Sequence, residues 1–431
     1  MRSNRAVAAI VFAVATATAV AACSGGSSST SSKSTNSTAK VSLTWWNNAT
    51  SGQLKTVWDQ AAAGFHTLHP NVTIVNVPIQ NEQFTTKIPL ALDSGNPPDI
   101  YQQWGGGQEA TQLKSGKLVN MTSAASNWIG ELGSAAVGWQ VSGQQYGVPY
   151  DLHVVGFWYR KDLFAKAGIT STPTTITQLE SDDAQLRAHG ITPIAVGSKD
   201  RWPDAFWWEY FAVRECSTST VQAAMKSVSL SAPCFTKATA DLTAFMKTSP
   251  FQTGFLGTPS QVGAGSSAGM VGSGKAAMEL QGDWDPGVID GLISDASTVN
   301  ADLGWFPFPT VPGGQGNPTT LLGGGDGFSC TTGAAEPACE EFLQYLDTPA
   351  EQKAIMSAGT GLPANPAASS AILVPAEQVA DTADHDADYI ATYFDTALPT
   401  QPGQNLDNAV ADFFAGQGSG QAIITSINGP A

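Results

Sequence analysis

Positive charge is scarce in this chain. Twenty lysines and arginines stand against 36 aspartates and glutamates in 431 residues, a formal net charge of −16. Phosphate backbones need a basic surface, so no nucleic-acid partner is expected. Docking on anionic lipid through a basic patch is excluded on the same ground. No Cys-x-x-Cys or His-x-x-x-His spacing occurs, which removes the usual zinc frameworks. The glycines of Trp104-Gly-Gly-Gly107 lack dinucleotide-loop or Walker spacing, so they form no phosphate cradle. No internal repeat and no second long apolar span follow the first. Neither a cofactor nor a metal is expected.

What is present starts at the N-terminus. Arg2 and Arg5 precede an apolar stretch of small residues, Ala6 to Ala22. Its length suits a signal segment, and it is weakly hydrophobic for a spanning helix. It ends in Val20-Ala21-Ala22-Cys23, which resembles the lipobox of bacterial lipoproteins. That resemblance implies a lipid on Cys23 and an anchor at the outer face of the cell membrane. Ser24 to Ala39 is rich in Ser, Thr and Gly and reads as a flexible tether. The expected organisation is a signal peptide at 1–22, a tether at 23–40, and roughly 390 residues of globular chain, enough for two lobes. Loss of Arg2 and Arg5 takes the net charge from −16 to −18.

Apart from Cys23, four cysteines remain, an even number suited to an oxidising compartment. Three pairings are open. Cys216–Cys234 and Cys330–Cys339 are favoured because each closes a short local loop, worth about 2–4 kcal/mol apiece.

Val41, Leu43 and Trp45 alternate as in a strand. Leu54, Val57, Trp58, Ala61, Phe65 and Leu68 then recur at helical spacing, and Val72 to Val77 is a second β-rich run. Strand, helix and strand in this order predict a βαβ unit and a parallel sheet. Thr177-x-x-Glu180 has the form of a capping box before another helix, followed by a strand at Ile191 to Val196. Gly263 to Gly274 reads as a loop before a strand at Ala276 to Leu280. Ala338 to Leu346 and Pro349 to Ala358 read as late helices. The fold class is α/β.

Several segments together resemble one family. They are Val41-Ser-Leu-Thr-Trp-Trp-Asn47, Asn96-Pro-Pro-Asp-Ile-Tyr101, Tyr146-Gly-Val-Pro-Tyr-Asp151 with the run Gly156 to Ile169, Ala276 to Trp284, Leu322 to Phe328, and Gly361-Leu-Pro-Ala364. The chain is similar to the extracellular solute-binding lipoproteins of bacterial sugar ABC transporters, the maltose-binding-protein-like class. The resemblance covers roughly Val41 to Leu362 and fades over the last forty residues. Arg160 stands where the family often has Asn, and the cysteine pairs are not a family-wide feature.

The resemblance implies a two-lobed periplasmic-binding-protein-like fold of type II. Each lobe would be a βα sheet sandwiched by helices, hinged around a ligand cleft. The expected N-terminal lobe is 41–150 plus about 319–350, and the C-terminal lobe 151–318 plus about 351–431. The implied function is that of a monomeric substrate-binding subunit, not an enzyme. It would capture an oligosaccharide by lobe closure and hand it to ABC permease subunits. β-linked xylo- or cello-oligosaccharides are favoured.

A pyranose stacks its C–H faces on aromatic rings and turns its hydroxyls to polar side chains. Trp284 follows Gly282-Asp283 at a strand end, where the family places a stacking Trp, and Asp283 is the hydroxyl acceptor beside it. Trp104 heads a glycine run that lets backbone approach a ligand. Trp46, Asn47 and Asn48 leave the first strand. Asp151 and His153 follow the lobe crossing, Trp202 opens the aromatic block ending at Tyr210, and Asp326 lies in the return crossing Gly323-Gly-Gly-Asp-Gly327. His66-x-x-His69 is expected to be structural. Asp384-His-Asp-Ala-Asp388 is expected to be a solvated acidic loop, since Tyr389 stands where a calcium loop needs Gly. Three rivals remain: a secreted glycoside hydrolase using two carboxylates such as Asp151, Asp283 or Asp326, a binder of a non-sugar solute, and a structural surface lipoprotein with no ligand and no closure.

Overall fold

Alternation makes strand β1 (Val41–Asn47), which buries Leu43, Trp45 and Asn47 on one face. The helix Gly52–Leu68 lays Trp58, Ala61 and Phe65 on that sheet. Strand β2 (Val72–Pro78) returns parallel to β1, with Val41 opposite Val72. Strand β3 (Ile100–Gln103) pairs with the other edge of β1. A small hairpin follows, β4 (Gln140–Val141) with β5 (Gln144–Gln145). Then come β6 (Gly147–Arg160), β7 (Thr192–Ala195), β8 (Ala276–Gly282), β9 (Leu303–Phe306), β10 (Leu321–Cys330), β11 (Leu362–Pro363) and β12 (Ile390–Thr392). The computed structural model describes residues 39–50, 52–333 and 335–428. The expected signal peptide, Cys23 and the tether up to residue 38 lie outside the described residues. Residues Lys40–Ala431 form one compact unit.

The sheet order is β2-β1-β3-β10-β6-β8-β7, with β9 and β11 on β6 and β12 on β10. The long strand β6 is shared by both halves. Its start pairs antiparallel with β10, from Gly147 opposite Ser329 to Val154 opposite Gly323. Its end pairs with β8 and β9, from Val155 to Arg160. Each half has its own core. Trp45, Trp58, Phe65, Phe328 and Phe342 pack together in the first. Phe157, Trp207, Trp208, Tyr210, Phe245 and Phe308 pack together in the second. Each such fully buried side chain contributes about 1.5–3 kcal/mol. Cys216 is bonded to Cys234 and Cys330 to Cys339, pinning a helix end in each half.

Three expectations need correction. The capping box is Thr175 with Gln178, because Thr175 holds extended backbone and the helix starts at Ile176. The Gly263–Gly274 loop contains a short helix, Ser267–Gly272, capped by the Ser266 hydroxyl on the Gly269 N–H at 3.0 Å. Asp384 and His385 close the helix Pro375–Asp386 and are not loop residues. Ile355, Met356, Ala364 and Ala368 pack in the Trp45 core, while Ile372 joins a cluster with Trp158 and Trp305. Among the described residues, no helix is long and apolar enough to cross a membrane.

Candidate ligand-binding site

A cavity of about 930 Å³ lies beyond the ends of β1, β3 and β8 and against the interior of β6 and β10. Such ends of α/β sheets are where ligands bind. Six of the ten expected residues line it: Asn48, Trp104, Asp151, Trp202, Trp284 and Asp326.

Trp284 is placed by a close approach. A Cβ on Gly282 would stand 2.1 Å from its ring, so only Gly lets the indole fold back over β8. The ring meets His153 edge-on at 4.7 Å and Trp202 at 6.2 Å between centroids. Phe206 joins them, 5.4 Å from Trp202 and 5.3 Å from Tyr393. On the opposite wall Trp104 packs edge-on against Phe84 at 5.7 Å. The glycine run Gly323–Gly325 has a packing cause too. A Cβ on Gly324 would strike the Tyr393 ring at 2.6 Å, and one on Gly325 the Trp139 ring at 2.8 Å.

The other four residues stand behind the wall. Asn47 is fully buried; its amide donates to Asn76 Oδ1 at 2.6 Å and its Oδ1 accepts the Ala49 N–H at 3.2 Å. Trp46 packs against the small core of Phe84, Ile88 and Tyr101. Asp283 and His153 are buried and bound to each other, Nδ1 to Oδ1 at 2.6 Å. Asp283 also accepts the Val154 N–H at 3.1 Å. None of Asn47, Trp46, Asp283 and His153 lines the cavity: Asn47, Asp283 and His153 are held in buried hydrogen bonds, and Trp46 packs on the small core.

His153 is the hub of a network at the cavity floor. Its Nε2 lies 3.1 Å from Asp151 Oδ1 and 3.7 Å from Asp326 Oδ2. The Asp326 N–H donates to Asp151 at 3.0 Å, and the Tyr150 hydroxyl to Asp326 at 3.2 Å. Burial alone would lower the imidazole pKa; the carboxylates of Asp151 and Asp283 outweigh it and hold His153 well above its usual range. Burial pushes Asp151 up to about 8, against the pull of His153. Ligand atoms of Asp151, His153 and Asp326 come within 4.8 Å, a geometry open to a cation. His153 Nδ1 is engaged by Asp283 and its Nε2 faces Asp151 and Asp326, so imidazole and carboxyl groups form one polar network.

A second polar group lies on the wall formed by the helices Trp202–Glu215 and Thr400–Phe414. Glu209, Asp395 and Asp407 line the cavity there. Tyr150, Phe206, Tyr393 and these three carboxylates were absent from the sequence-based set. Tyr150 stood one residue from Asp151, and Glu209 was hidden in an aromatic helix. Asp395 and Asp407 fall where the family resemblance fades. His66 and His69 lie away from the cavity, His66 on the Val72 carbonyl and His69 stacked on Phe65 at 4.3 Å.

The model of the family "Bacterial extracellular solute-binding protein" matches residues 48–353. An uncharacterized ABC transporter extracellular-binding protein of Pyrococcus horikoshii is 26% identical over 276 residues, 62% of this chain and 59% of that protein. The chain thus spans less than two thirds of the length of the curated relatives it matches first. A solved structure from work on xylan utilization by Caldanaerobius polysaccharolyticus is 26% identical, with a TM-score of 0.81, covering 90% of this chain and 99% of that one. A chitin oligosaccharide binding protein shares the fold at 23% identity, with a TM-score of 0.80 and coverages of 90% and 97%. The fold is the two-lobed α/β arrangement of these neighbours.

Proposed function

The chain belongs to the bacterial extracellular solute-binding proteins, and on that premise we propose that it is the sugar-capturing subunit of an ABC importer. Its ligand is a β-linked oligosaccharide of xylo- or cello-type. The observation that carries this reading is the cavity itself: about 930 Å³, with Trp104 on one wall and Trp202 and Trp284 on the other. Separated indole faces suit two or more sugar rings. Asn48, Asp151 and Asp326 offer hydroxyl partners between them. The likeness to a protein from a xylan-utilizing organism points the same way.

The lobes are 41–150 with about 319–371, and 151–318 with the remainder. They close by bending at β6 and β10, the strands shared by both cores. Cys23 carries the lipid that holds the monomer at the outer face of the membrane, where permease subunits receive the closed form. The protein does no chemistry on its ligand. Of the three carboxylates the sequence offers to a hydrolase, Asp151 and Asp326 are cross-strand neighbours joined through a backbone N–H, and Asp283 is outside the cavity. A hydrolase needs two carboxyl groups facing each other across the bond.

Titration calorimetry of residues 40–431 against xylo-, cello-, malto- and chito-oligosaccharides tests this reading. It predicts one-to-one binding at micromolar strength or better, about −8 kcal/mol, without release of reducing ends. Hydrolysis, or silence from a folded sample, would overturn it.

A further inference from the structure

Seven carboxylates line the cavity, against two cations, Lys199 and Arg201. Arg201 is committed elsewhere: it donates to Asn408 at 2.8 Å and pairs with Asp412 at 3.7 Å. Asp151 and Asp326 share His153. Glu209, Asp395 and Asp407 have no such partner; among the described residues none of the three forms an ion pair with Lys, Arg or His.

These three come from separate elements, line the cavity, and lie close enough that Asp395 and Glu209 act electrostatically on Asp407. Glu209 is 1% exposed, on the helix Trp202–Glu215. One of its oxygens accepts the Phe394 N–H at 3.1 Å; the other, Oε2, is buried without a partner. Asp407 Oδ1, from the helix Thr400–Phe414, is likewise buried and unpartnered. Asp395 lies in the turn Phe394–Ala397 and accepts from the Thr396 hydroxyl at 3.3 Å. Burial first, then Asp395, Glu209 and Asp204, raise the Asp407 carboxyl well above the usual range. Burial and then Asp395 do the same to Glu209.

Desolvated carboxylates packed together are costly, and a protein with no use for them would replace one with an amide or an apolar residue. A bound cation reverses that balance: it lets them ionise, and each charge-assisted hydrogen bond it makes is short and strong. The cation must reach buried oxygens on the wall, and must carry several donors, since the carboxylates come from three separate elements. An ammonium group is compact and has three donors, one for each carboxylate; a guanidinium is a larger planar fork.

We propose that Glu209, Asp395 and Asp407 form a subsite for the protonated amine of an amino sugar. This rests on the saccharide reading above and narrows it: the preferred ligand is a β-linked oligosaccharide of cello-type backbone in which the ring at these carboxylates bears a free amine. An N-acetylated ring would bring no charge and would strand the same carboxylates.

The test compares three ligands of equal length by titration calorimetry with residues 40–431, the compact unit that holds both cores. They are a cello-oligosaccharide, its 2-amino-2-deoxy counterpart, and the N-acetylated form. The aminated ligand is expected to bind at least about tenfold tighter than either neutral one, the size of one charge-assisted hydrogen bond. In Glu209→Gln that ratio falls toward one, and Asp407→Asn gives the same answer should the first variant fold poorly. Equal or tighter binding of a neutral ligand would overturn the subsite and leave the saccharide reading standing. An aminated preference that survives both substitutions would also overturn it. No binding by any saccharide, from folded protein, would overturn both readings.

Discussion

The two polar clusters of the cavity are built from the same residue type and differ in one respect. At the floor, Asp151, Asp283 and Asp326 surround the imidazole of His153, at 3.1, 2.6 and 3.7 Å. On the wall, Glu209, Asp395 and Asp407 surround nothing. The floor carries its own basic group, and it joins β6 to β8 and β10 at the point where the chain passes between cores. The wall leaves buried oxygens unpaired. A carboxylate cluster that carries its own cation holds a structure together; one that lacks it is open to whatever brings the cation.

Breaking the floor should have the largest effect. In His153→Gln the buried carboxylates lose their counter-ion, at a cost of about 3–5 kcal/mol. Urea unfolding measures it, and a loss under about 1 kcal/mol would remove the distinction between the clusters. Next comes the aromatic wall they share. Trp284→Ala should weaken saccharide binding by about 2 kcal/mol, roughly thirtyfold, with the fold retained; calorimetry on the variant would show it.

Acidity acts on both clusters in one direction. Burial pushes Asp151, Asp204 and Glu109 each up to about 8. A carboxyl that binds its proton more tightly folded than unfolded stabilises at low pH. That contribution is lost as pH rises from the unfolded value of 3.8 or 4.5 through the folded one. His153, also raised, contributes fully below its unfolded 6.5 and loses that as pH climbs to its folded value. The ligand-free protein should therefore melt lower at pH 8 than at pH 5, by at least about 2 °C. A flat or rising profile would mean the buried carboxyls titrate normally. The smallest effect should come from the wall, with opposite sign to the floor. Glu209→Gln should leave ligand-free stability unchanged or raise it by about 1 kcal/mol, since an unpaired buried carboxyl is removed. A loss of 2 kcal/mol in thermal unfolding would show that Glu209 is a structural residue.

How much of this was legible follows from what each residue reports locally. The alternation of β1, the helical spacing of Trp58, Ala61 and Phe65, and the parallel return at Val72 all write themselves in period and turn signals. So does Trp284, whose preceding glycine marks a close approach. The inward turn of Asn47 is not written there: neighbours along a strand alternate faces, and one residue decides between cavity and core. The Glu209–Asp395–Asp407 wall was invisible for another reason. Its members are separated by 186 and 12 positions, and only the packing of the last helices brings them together.

A crystal structure with the tightest-binding saccharide from the calorimetric panel tests the central claim most directly. The account predicts sugar rings against Trp284 and Trp104, hydroxyls on Asp151 and Asp326, and His153 and Asp283 out of contact behind them. A ligand outside this cavity, or one that displaces the His153–Asp283 pair to reach the floor, would contradict it.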